Sequence, residues 1–333
     1  MRAAITSAGH FVPPNVYDNH YFEKLVETND EWIQSRTGIV ERRFAKEGEA
    51  TSDLIVPAVE ACLKARGIGA DEIDCIIVAT VTPDMFFPST ACIVQRKIGA
   101  TKAWGFDLSG ACSGFLFALA TGAGFIESGR HKKVLVVGAD KMSSILDFTD
   151  RNTCILFGDG AGAVLLEPTE NEEEGLRDTI LRIDGEGEPY LHMRGGGSLN
   201  PPTATTVDER LHYVFQDGRS VFKVAVKGMA DVSAEIMERN NLTADDIRWL
   251  VPHQANKRII TATADRMDLP LDRVMINSDR YGNTTAGTLP ICLSEWWQKG
   301  ELEPGDDLIL ATFGAGYTWG AGWLRWSAEK RAS

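Results

Sequence analysis

The sequence lacks the paired cysteines from which metal sites and small disulfide-linked scaffolds are built. Its six cysteines are spread over 333 residues, and the nearest two, Cys62 and Cys75, stand 13 residues apart. There is no Cys-x-x-Cys, and no histidine lies at ligand spacing from a cysteine, so we expect no metal site. In a chain of this length without a secretion signal, we expect all six to be thiols in a reducing compartment.

Long apolar runs are also missing. The longest, Cys112 to Ile126, is too short to span a bilayer and predicts a buried helix. Residues 1–7 contain no apolar stretch of the kind found in signal peptides. We therefore expect a cytoplasmic protein without a membrane partner.

The sequence has fewer basic than acidic residues, with 34 Lys+Arg against 47 Asp+Glu and a net charge of -13. This balance argues against nucleic acid as a partner, whereas an acidic protein partner would need a local basic patch. The content of 44% hydrophobic and 24% charged residues is that of a globular protein. The length predicts two domains or two closely packed halves.

Segments of the first half of the chain recur in the second half at a nearly constant offset of 160 to 174 residues. The similar pairs are 70–78 with 244–252, 134–139 with 308–313, 3–9 with 177–185, and 160–165 with 320–325. A repeated offset of this kind is typical of internal duplication. We expect an N-terminal half of residues 1–170, which carries a nucleophilic cysteine, and a C-terminal half of residues 171–333, which carries a histidine and an asparagine.

The pattern of apolar residues predicts an α/β fold. Short apolar runs bounded by Gly or Asp predict strands at 3–9, 73–80, 103–107, 133–139, 161–167, 179–184, 248–252, 272–277, 307–312 and 320–326. Helical periodicity covers 51–66, 112–128, 218–240, 255–268 and 286–298. Strands that alternate with helices predict βαβ units whose sheets are covered on both faces.

Cys112 is the first candidate for chemistry. A buried strand ends at Asp107, and an apolar helix begins near Cys112. A thiol at a helix N-terminus faces unpaired N–H groups and the positive end of the dipole, which favour the thiolate. The alternative is a cysteine packed as a small hydrophobic residue, which is the expected role of the other five.

Three further positions follow predicted strands or turns. His253 comes directly after the strand 248–252, where ligands bind in α/β folds, and would otherwise cap the next helix. Asn283 occupies the turn that the duplication pairs with the Cys112 turn, and would otherwise be a helix N-cap. The glycine-rich turn around Ala315 could present a backbone N–H to an oxyanion or could simply be a tight turn.

Cys, His and Asn together fit two chemistries. A cysteine hydrolase uses His as a general base and Asn to orient it. A carbon–carbon-forming condensing enzyme uses Cys to carry an acyl group, with His and Asn donating to a thioester oxygen. The duplication, which places Cys at one central helix and Asn at the other, favours the condensing enzyme.

The chain resembles the 3-oxoacyl-[acyl-carrier-protein] synthase III family of the thiolase superfamily over essentially its full length. The matching segments are 30–33, 36–39, 87–89, 110–115, 150–151, 157–162, 221–223, 252–256 and 282–284. The resemblance implies a five-layered αβαβα thiolase-like fold of two duplicated halves, usually a homodimer. It implies condensation of an acyl-CoA primer, with acetyl-CoA expected, and malonyl-ACP to give 3-oxoacyl-ACP, CoA and carbon dioxide, the step that initiates type II fatty-acid synthesis.

The resemblance also implies roles for individual residues. Cys112 would be the acylated nucleophile, His253 and Asn283 would stabilise the malonyl enolate, and the N–H groups of Cys112 and Ala315 would hold an oxyanion. The family often has glycine at the position of Ala315. CoA, a substrate rather than a cofactor, would contact Trp32, Arg36, Thr37, Arg151, Gly218, Phe222, Ala255 and Asn256.

For the acyl carrier protein (ACP), which is acidic, the resemblance implies a docking surface of Gln254, Ala255, Asn256, Lys257, Arg258, Lys223 and Arg266. The acyl pocket would involve Met142 and Phe157, with Phe87 capping the pocket of the neighbouring subunit. No metal is implied. The alternatives are a type III polyketide synthase-like enzyme, which takes CoA thioesters only, a Cys-His-Asn thioester hydrolase, a biosynthetic thiolase and a non-catalytic acyl-CoA-binding protein.

Overall fold

The computed structural model describes residues 1–329, which form thirteen strands and ten α-helices. The strands are β1 (Arg2–Phe11), β2 (Val16–Asp18), β3 (Glu41–Arg43), β4 (Cys75–Ala79), β5 (Trp104–Leu108), β6 (Val134–Asp140), β7 (Gly160–Thr169), β8 (Gly175–Ile183), β9 (Leu191–His192), β10 (Phe215–Gln216), β11 (Trp249–Pro252), β12 (Asp307–Gly314) and β13 (Thr318–Arg325). The helices are α1 (Asn19–Glu23), α2 (Asp30–Thr37), α3 (Thr51–Arg66), α4 (Thr90–Ile98), α5 (Gly114–Glu127), α6 (Ala204–Asp208), α7 (Gly218–Arg239), α8 (Lys257–Arg266), α9 (Ser278–Tyr281) and α10 (Thr288–Lys299).

The strand orders of the two main sheets correspond to each other. The first sheet has the order β1-β7-β6-β4-β5, and the second has β8-β13-β12-β11 when read from its matching edge. In the first, β4 runs parallel to β5 and β6, and in the second, β11 runs parallel to β12. The four repeated segments, which form β1, β7, β6 and β4, therefore have counterparts at the same places in the other sheet, whereas β5 has no counterpart strand there. The boundary placed at residue 170 falls between β7 and β8 and stays a prediction.

The helices form three layers around these sheets. The apolar α5 and α10 lie between the sheets, where Phe115 and Leu289 are fully buried in one core with side chains from both sheets. Helices α3 and α4 cover the outer face of the first sheet, and α7 and α8 cover that of the second. The result is the αβαβα sandwich that was expected, because every strand run with two apolar faces needs a helix on each side.

Two local predictions were wrong. Residues 272–277 do not form a strand: residues 271–273 make a 3₁₀ turn, and Val274 forms only an isolated bridge with Leu250. The N–H groups of Asn277 and Ser278 donate to the Gln254 side chain instead of to a neighbouring strand. The helix predicted from Cys112 begins at Gly114, which leaves Cys112 in a 3₁₀ turn at its start.

Candidate active site

The candidate residues lie where the chain leaves the two sheets. Cys112 follows β5, His253 follows β11, and Asn283 follows the short helix α9. Parallel strands place their carboxyl ends at one edge, and the pseudo-symmetry of the halves brings the two edges together. All three side chains line one cavity of about 590 Å³. They are almost entirely buried, with exposures of 6% for Cys112, 3% for His253 and 6% for Asn283.

The turn that carries Cys112 is held in an unusual backbone conformation by the other half of the protein. Ala111 has φ 46°, a left-handed geometry that costs about 1 kcal/mol in a residue with a β-carbon. Ser113 donates its hydroxyl to the carbonyl of Thr318 (3.2 Å), across the boundary between the halves. Gly314 packs so closely that a β-carbon there would lie 2.8 Å from the Cys112 nitrogen. A side chain at position 314 would therefore displace the turn that carries Cys112.

The second half contains the same backbone feature. Thr285 has φ 50° and lies 174 residues after Ala111, so the duplication preserves this left-handed residue. Such a φ is rare for a β-branched side chain and is retained only where its surroundings impose it. Here the Thr285 hydroxyl donates to the carboxylate of Asp140 at the end of β6. By this register the positional counterpart of Cys112 is Ala286, whose N–H also donates to Asp140 (3.3 Å).

Asp140 is a buried carboxylate that joins the two halves beneath the cavity. Its other donors come from the loop after β4, at 2.8 to 3.1 Å: the Thr80 hydroxyl, the N–H of Val81, and both the N–H and the hydroxyl of Thr82. Burial nevertheless raises the pKa of Asp140 above its ordinary value. The carboxylate thus fixes the loop after β4 against the Thr285 turn.

The position and orientation of Asn283 are set on three sides. Its N–H donates to the carbonyl of Leu156 (2.9 Å), and its carbonyl accepts from the N–H of Gly158 (3.0 Å). Its side-chain oxygen accepts from the N–H of Thr285 (2.8 Å). With Oδ1 occupied in this way, the amide NH₂ is left to donate, so Asn283 can stabilise negative charge in the cavity.

His253 is held by its backbone and by one side chain. Its N–H donates to the carbonyl of Ala311 on β12 (2.7 Å), and Nδ1 lies 2.9 Å from the hydroxyl of Thr288 at the start of α10. Burial lowers the pKa of His253 to about 3, and no charged group opposes this shift. The imidazole is therefore neutral at physiological pH.

We expect His253 to show no titration between pH 8 and pH 5. Histidine NMR on the protein and on a His253→Asn variant, which identifies its signals, measures this directly. In the unfolded chain the pKa returns to 6.5, so the unfolded state takes up the proton first as pH falls. The stability contributed by His253 is present above pH 6.5 and decreases as the pH falls toward 3. An inflection of the His253 signals near pH 6.5 would contradict this environment.

The expectation of a thiolate at Cys112 was wrong. Burial raises the pKa of the Cys112 thiol to about 12, and the nearby Asp140 carboxylate adds to the rise. Desolvation, which disfavours the anion, is the largest influence on this pKa. The thiol is therefore protonated at neutral pH, and its proton must leave during any acyl transfer.

The cavity extends to the surface between α2, α7 and α8. Near its mouth, the guanidinium carbon of Arg151 lies 5.2 Å from the ring centroid of Trp32, and Arg151 donates to the carbonyl of Glu27 (2.9 Å). A purine held between two planar groups needs a separation of about 7 Å, twice a van der Waals contact. Arg151 and Trp32 would have to separate to admit one. The other lining residues expected for CoA are Arg36, Thr37, Gly218, Phe222, Ala255 and Asn256.

The sequence of this chain is similar to a known protein family in both of its halves. Residues 106–185 match the family model described as 3-oxoacyl-[acyl-carrier-protein (ACP)] synthase III, and residues 237–326 match its C-terminal model. A relative from Chlorobium phaeovibrioides named beta-ketoacyl-[acyl-carrier-protein] synthase III is 57% identical over 98% of this chain and 100% of its own length. The chain belongs to the 3-oxoacyl-[acyl-carrier-protein] synthase III family. It is an acyltransferase of the condensing type, with a thiolase-like fold.

Solved structures agree with this assignment. The chain resembles the 3-oxoacyl-[acyl-carrier-protein] synthase III of Aquifex aeolicus with 40% identity and a TM-score of 0.90, covering 97% of this chain and 100% of that one. The corresponding protein of Thermus thermophilus is 42% identical, with a TM-score of 0.90, over 98% of this chain and 100% of the other.

The prediction that Gln254 contacts the carrier protein was wrong. Gln254 is fully buried, with 0% exposure, and cannot contact a carrier protein. Its amide nitrogen donates to the carbonyls of Pro252 (2.8 Å) and Met275 (2.9 Å), and its oxygen accepts from the N–H groups of Asn277 (3.0 Å) and Ser278 (3.1 Å). The side chain instead ties the His253 segment to the segment that leads to Asn283.

The remaining basic candidates are exposed but differ in setting. Arg258 lies over the ring of Phe222 (4.6 Å) at the cavity mouth, and Lys257 lines a smaller adjoining depression together with Arg258. Lys223 is exposed on α7. Arg266 lies at the far end of α8, 3.7 Å from Asp231. The Asn256 side chain caps α8 by accepting from the N–H of Arg258, and it donates to the carbonyl of Arg36 on α2. It thereby links α8 to α2 at the cavity mouth.

Two of the three acyl-pocket candidates line the cavity, and the third does not. Met142 and Phe157 line the cavity near Cys112. Phe87 is 84% exposed and does not line the cavity of its own subunit. Residues 1–329 contain no group of three or more His, Cys, Asp or Glu side chains placed to hold a metal. Within the same range, no helix has both the length and the apolar character needed to cross a membrane.

Three residues that shape the site were not predicted: Asp140, Thr285 and Thr288. Asp140 ends the apolar run 134–139, and a single carboxylate at the end of a fully buried strand is a signal that could have been used. Thr285 and Thr288 carry no such signal. Asp140, the partner of Thr285, meets it only when the two halves pack together, and His253, the partner of Thr288, meets it only when the C-terminal half folds.

Proposed function

We propose that this chain is a beta-ketoacyl-ACP synthase III that condenses an acyl-CoA primer with malonyl-ACP and initiates fatty-acid synthesis. The observation that carries this proposal is the single buried cavity in which Cys112, His253 and Asn283 meet. A thiol beside two neutral donors, one of them an imidazole that has no carboxylate partner among residues 1–329, suits a reaction in which negative charge develops on a thioester oxygen.

The first half-reaction transfers the acyl group to Cys112. The Cys112 sulfur bonds to the thioester carbon, the bond from that carbon to the CoA sulfur breaks, and the thiol proton leaves on CoA. The N–H groups of Cys112 and Ala315 hold the oxyanion of the tetrahedral intermediate. The close packing of Gly314 on the Cys112 backbone supports this pairing, since it keeps the turn after β12 beside the nucleophile.

The second half-reaction forms the carbon–carbon bond. The malonyl carboxylate leaves as carbon dioxide, and its electron pair becomes an enolate whose oxygen accepts from His253 and Asn283. The enolate carbon attacks the acyl carbon, and the Cys112 sulfur leaves and takes up a proton. These donors act on charge that is absent from the ground state, so they lower the barrier rather than merely tighten binding. The reaction needs no cofactor beyond its thioester substrates.

The cavity mouth would receive the CoA nucleotide. Trp32 and Arg151 offer a planar aromatic and a guanidinium, which suit the two faces of a purine. Thr37, Gly218, Phe222, Ala255 and Asn256 would border the thin pantetheine arm, and Arg36 lies beside it. Met142 and Phe157 would bound the primer acyl group.

We also propose a cytoplasmic homodimer. All six cysteines are free thiols, as a reducing compartment would keep them. Phe86 and Phe87 expose 74% and 84% of their surface, which a second subunit would cover. In that arrangement Phe87 would cap the acyl pocket of the neighbouring subunit.

The extender substrate tests the proposal. With acetyl-CoA as the primer, labelled malonyl-ACP should release carbon dioxide and give 3-oxoacyl-ACP far faster than malonyl-CoA gives a product. Equal use of malonyl-CoA would instead indicate a polyketide synthase-like enzyme. Free acetate and CoA without carbon dioxide would indicate a thioester hydrolase.

Docking of the carrier protein should depend on the basic surface beside the mouth. We expect Lys257→Glu to raise the KM for malonyl-ACP about tenfold at low salt, with kcat and the KM for acetyl-CoA little changed. Lys257 suits this test because it lines the smaller depression and not the catalytic cavity.

Lys102→Glu is the matched control. Lys102 precedes β5, whereas Cys112 follows the other end of that strand, and Lys102 pairs with Asp71 on the surface (3.6 Å). It makes the same change of charge and should leave the KM for malonyl-ACP unchanged. An equal rise in both variants would show that total charge matters, and not this surface.

A further inference from the structure

Which nitrogen of His253 carries the proton decides what this residue can do. A neutral imidazole donates from one ring nitrogen and accepts at the other, and the partner of one nitrogen fixes the role of the other. Within residues 1–329, the only side-chain hydrogen-bond partner of the ring is the Thr288 hydroxyl, 2.9 Å from Nδ1. Thr288 is itself buried, so water does not compete for this contact.

The Thr288 hydroxyl lies at the same distance from two possible hydrogen-bond acceptors. One is Nδ1 of His253 and the other is the carbonyl of Thr285, each at 2.9 Å. The Thr285 carbonyl already accepts the backbone N–H of Thr288. If the hydroxyl hydrogen turns from this carbonyl to Nδ1, the carbonyl therefore still has a donor.

We propose that Thr288 is a positioning residue whose hydroxyl donates to Nδ1 of His253 and keeps the imidazole proton on Nε2, facing the cavity. The inference rests on the proposed function, in which His253 donates to the thioester oxygen. A carboxylate or amide oxygen at this place could only accept, so it would hold the proton on Nδ1 and leave Nε2 as a base. A hydroxyl can donate, and this difference separates a donor histidine from the general base of a hydrolase.

The test compares Thr288→Val with Thr288→Ser. Valine keeps the shape of threonine and removes the hydroxyl, whereas serine keeps the hydroxyl. We expect Thr288→Val to lower kcat for malonyl-ACP decarboxylation about tenfold, as the loss of one hydrogen bond predicts, with an unchanged KM. Acylation by acetyl-CoA, followed by intact-mass spectrometry, should stay within about twofold in both variants, and Thr288→Ser should retain most of the decarboxylation rate.

Nitrogen-15 NMR of the histidines reads the tautomer without reference to activity. The unmodified protein should show a protonated Nε2 and a bare Nδ1 at His253, and Thr288→Val should shift this balance toward Nδ1–H. A protonated Nδ1 in the unmodified protein would overturn the proposal, even if Thr288→Val did not fold. Decarboxylation at the full rate in a folded Thr288→Val would also overturn it. If the protein condensed nothing, the proposed function would fail while the spectrum still reported the tautomer.

Discussion

A Cys112→Ser variant is expected to form no acyl-enzyme with acetyl-CoA and to lose condensation by about 10³-fold or more. The hydroxyl of serine is a far weaker nucleophile than a thiol. In the described part of the chain, the neutral imidazole of His253 has no carboxylate partner with which to activate it. Intact-mass spectrometry after incubation with acetyl-CoA measures the acyl adduct, and release of labelled carbon dioxide measures the overall reaction.

Cys92→Ser provides the matched control. Cys92 is the exposed cysteine of the chain and lies on α4, outside the cavity. The Cys92 variant should carry one acetyl group per subunit, just as the unmodified protein does. An adduct that persisted in Cys112→Ser and disappeared in Cys92→Ser would place the nucleophile elsewhere.

Asn283→Ala and His253→Ala are expected to separate the two half-reactions. Each should still form the acyl-enzyme, because in the proposed function the acyl oxyanion is held by backbone N–H groups that neither change removes. Each should lose malonyl decarboxylation by about 10²- to 10³-fold, the usual effect of removing one donor from an oxyanion site. Mass spectrometry follows the first step, and carbon dioxide release from malonyl-ACP follows the second.

His20→Ala serves as the control for these two variants, since His20 is exposed on α1 and, among the described residues, its side chain pairs with Glu23 on the surface (3.1 Å). It should leave both steps unchanged. The assignment of roles would be wrong if His253→Ala blocked acylation but spared decarboxylation. That outcome would make His253 the base for Cys112, in agreement with a proton on Nδ1 rather than Nε2.

Much of this protein could be predicted from the sequence because the signals are local. The pattern of apolar residues gave α3 its full extent and located β4, β6, β12 and α7 to within a few residues. The offset of 174 residues predicted the correspondence that the two sheets show. The segments around Cys112, His253 and Asn283 also led to the correct family, because turns after buried strands carry characteristic residues.

The sequence by itself determined the duplication, the layered fold and the family to which the chain belongs. Only the tertiary structure decided how the residues of the site behave. Burial keeps the Cys112 thiol protonated, and Gln254 is turned inward although Lys257 and Arg258, three and four residues later, are exposed. Asp140 and Thr285, 145 residues apart, meet only when the halves pack together. Ionisation and orientation depend on desolvation and on distant hydrogen-bond partners, and neither can be read from the residues adjacent in the chain.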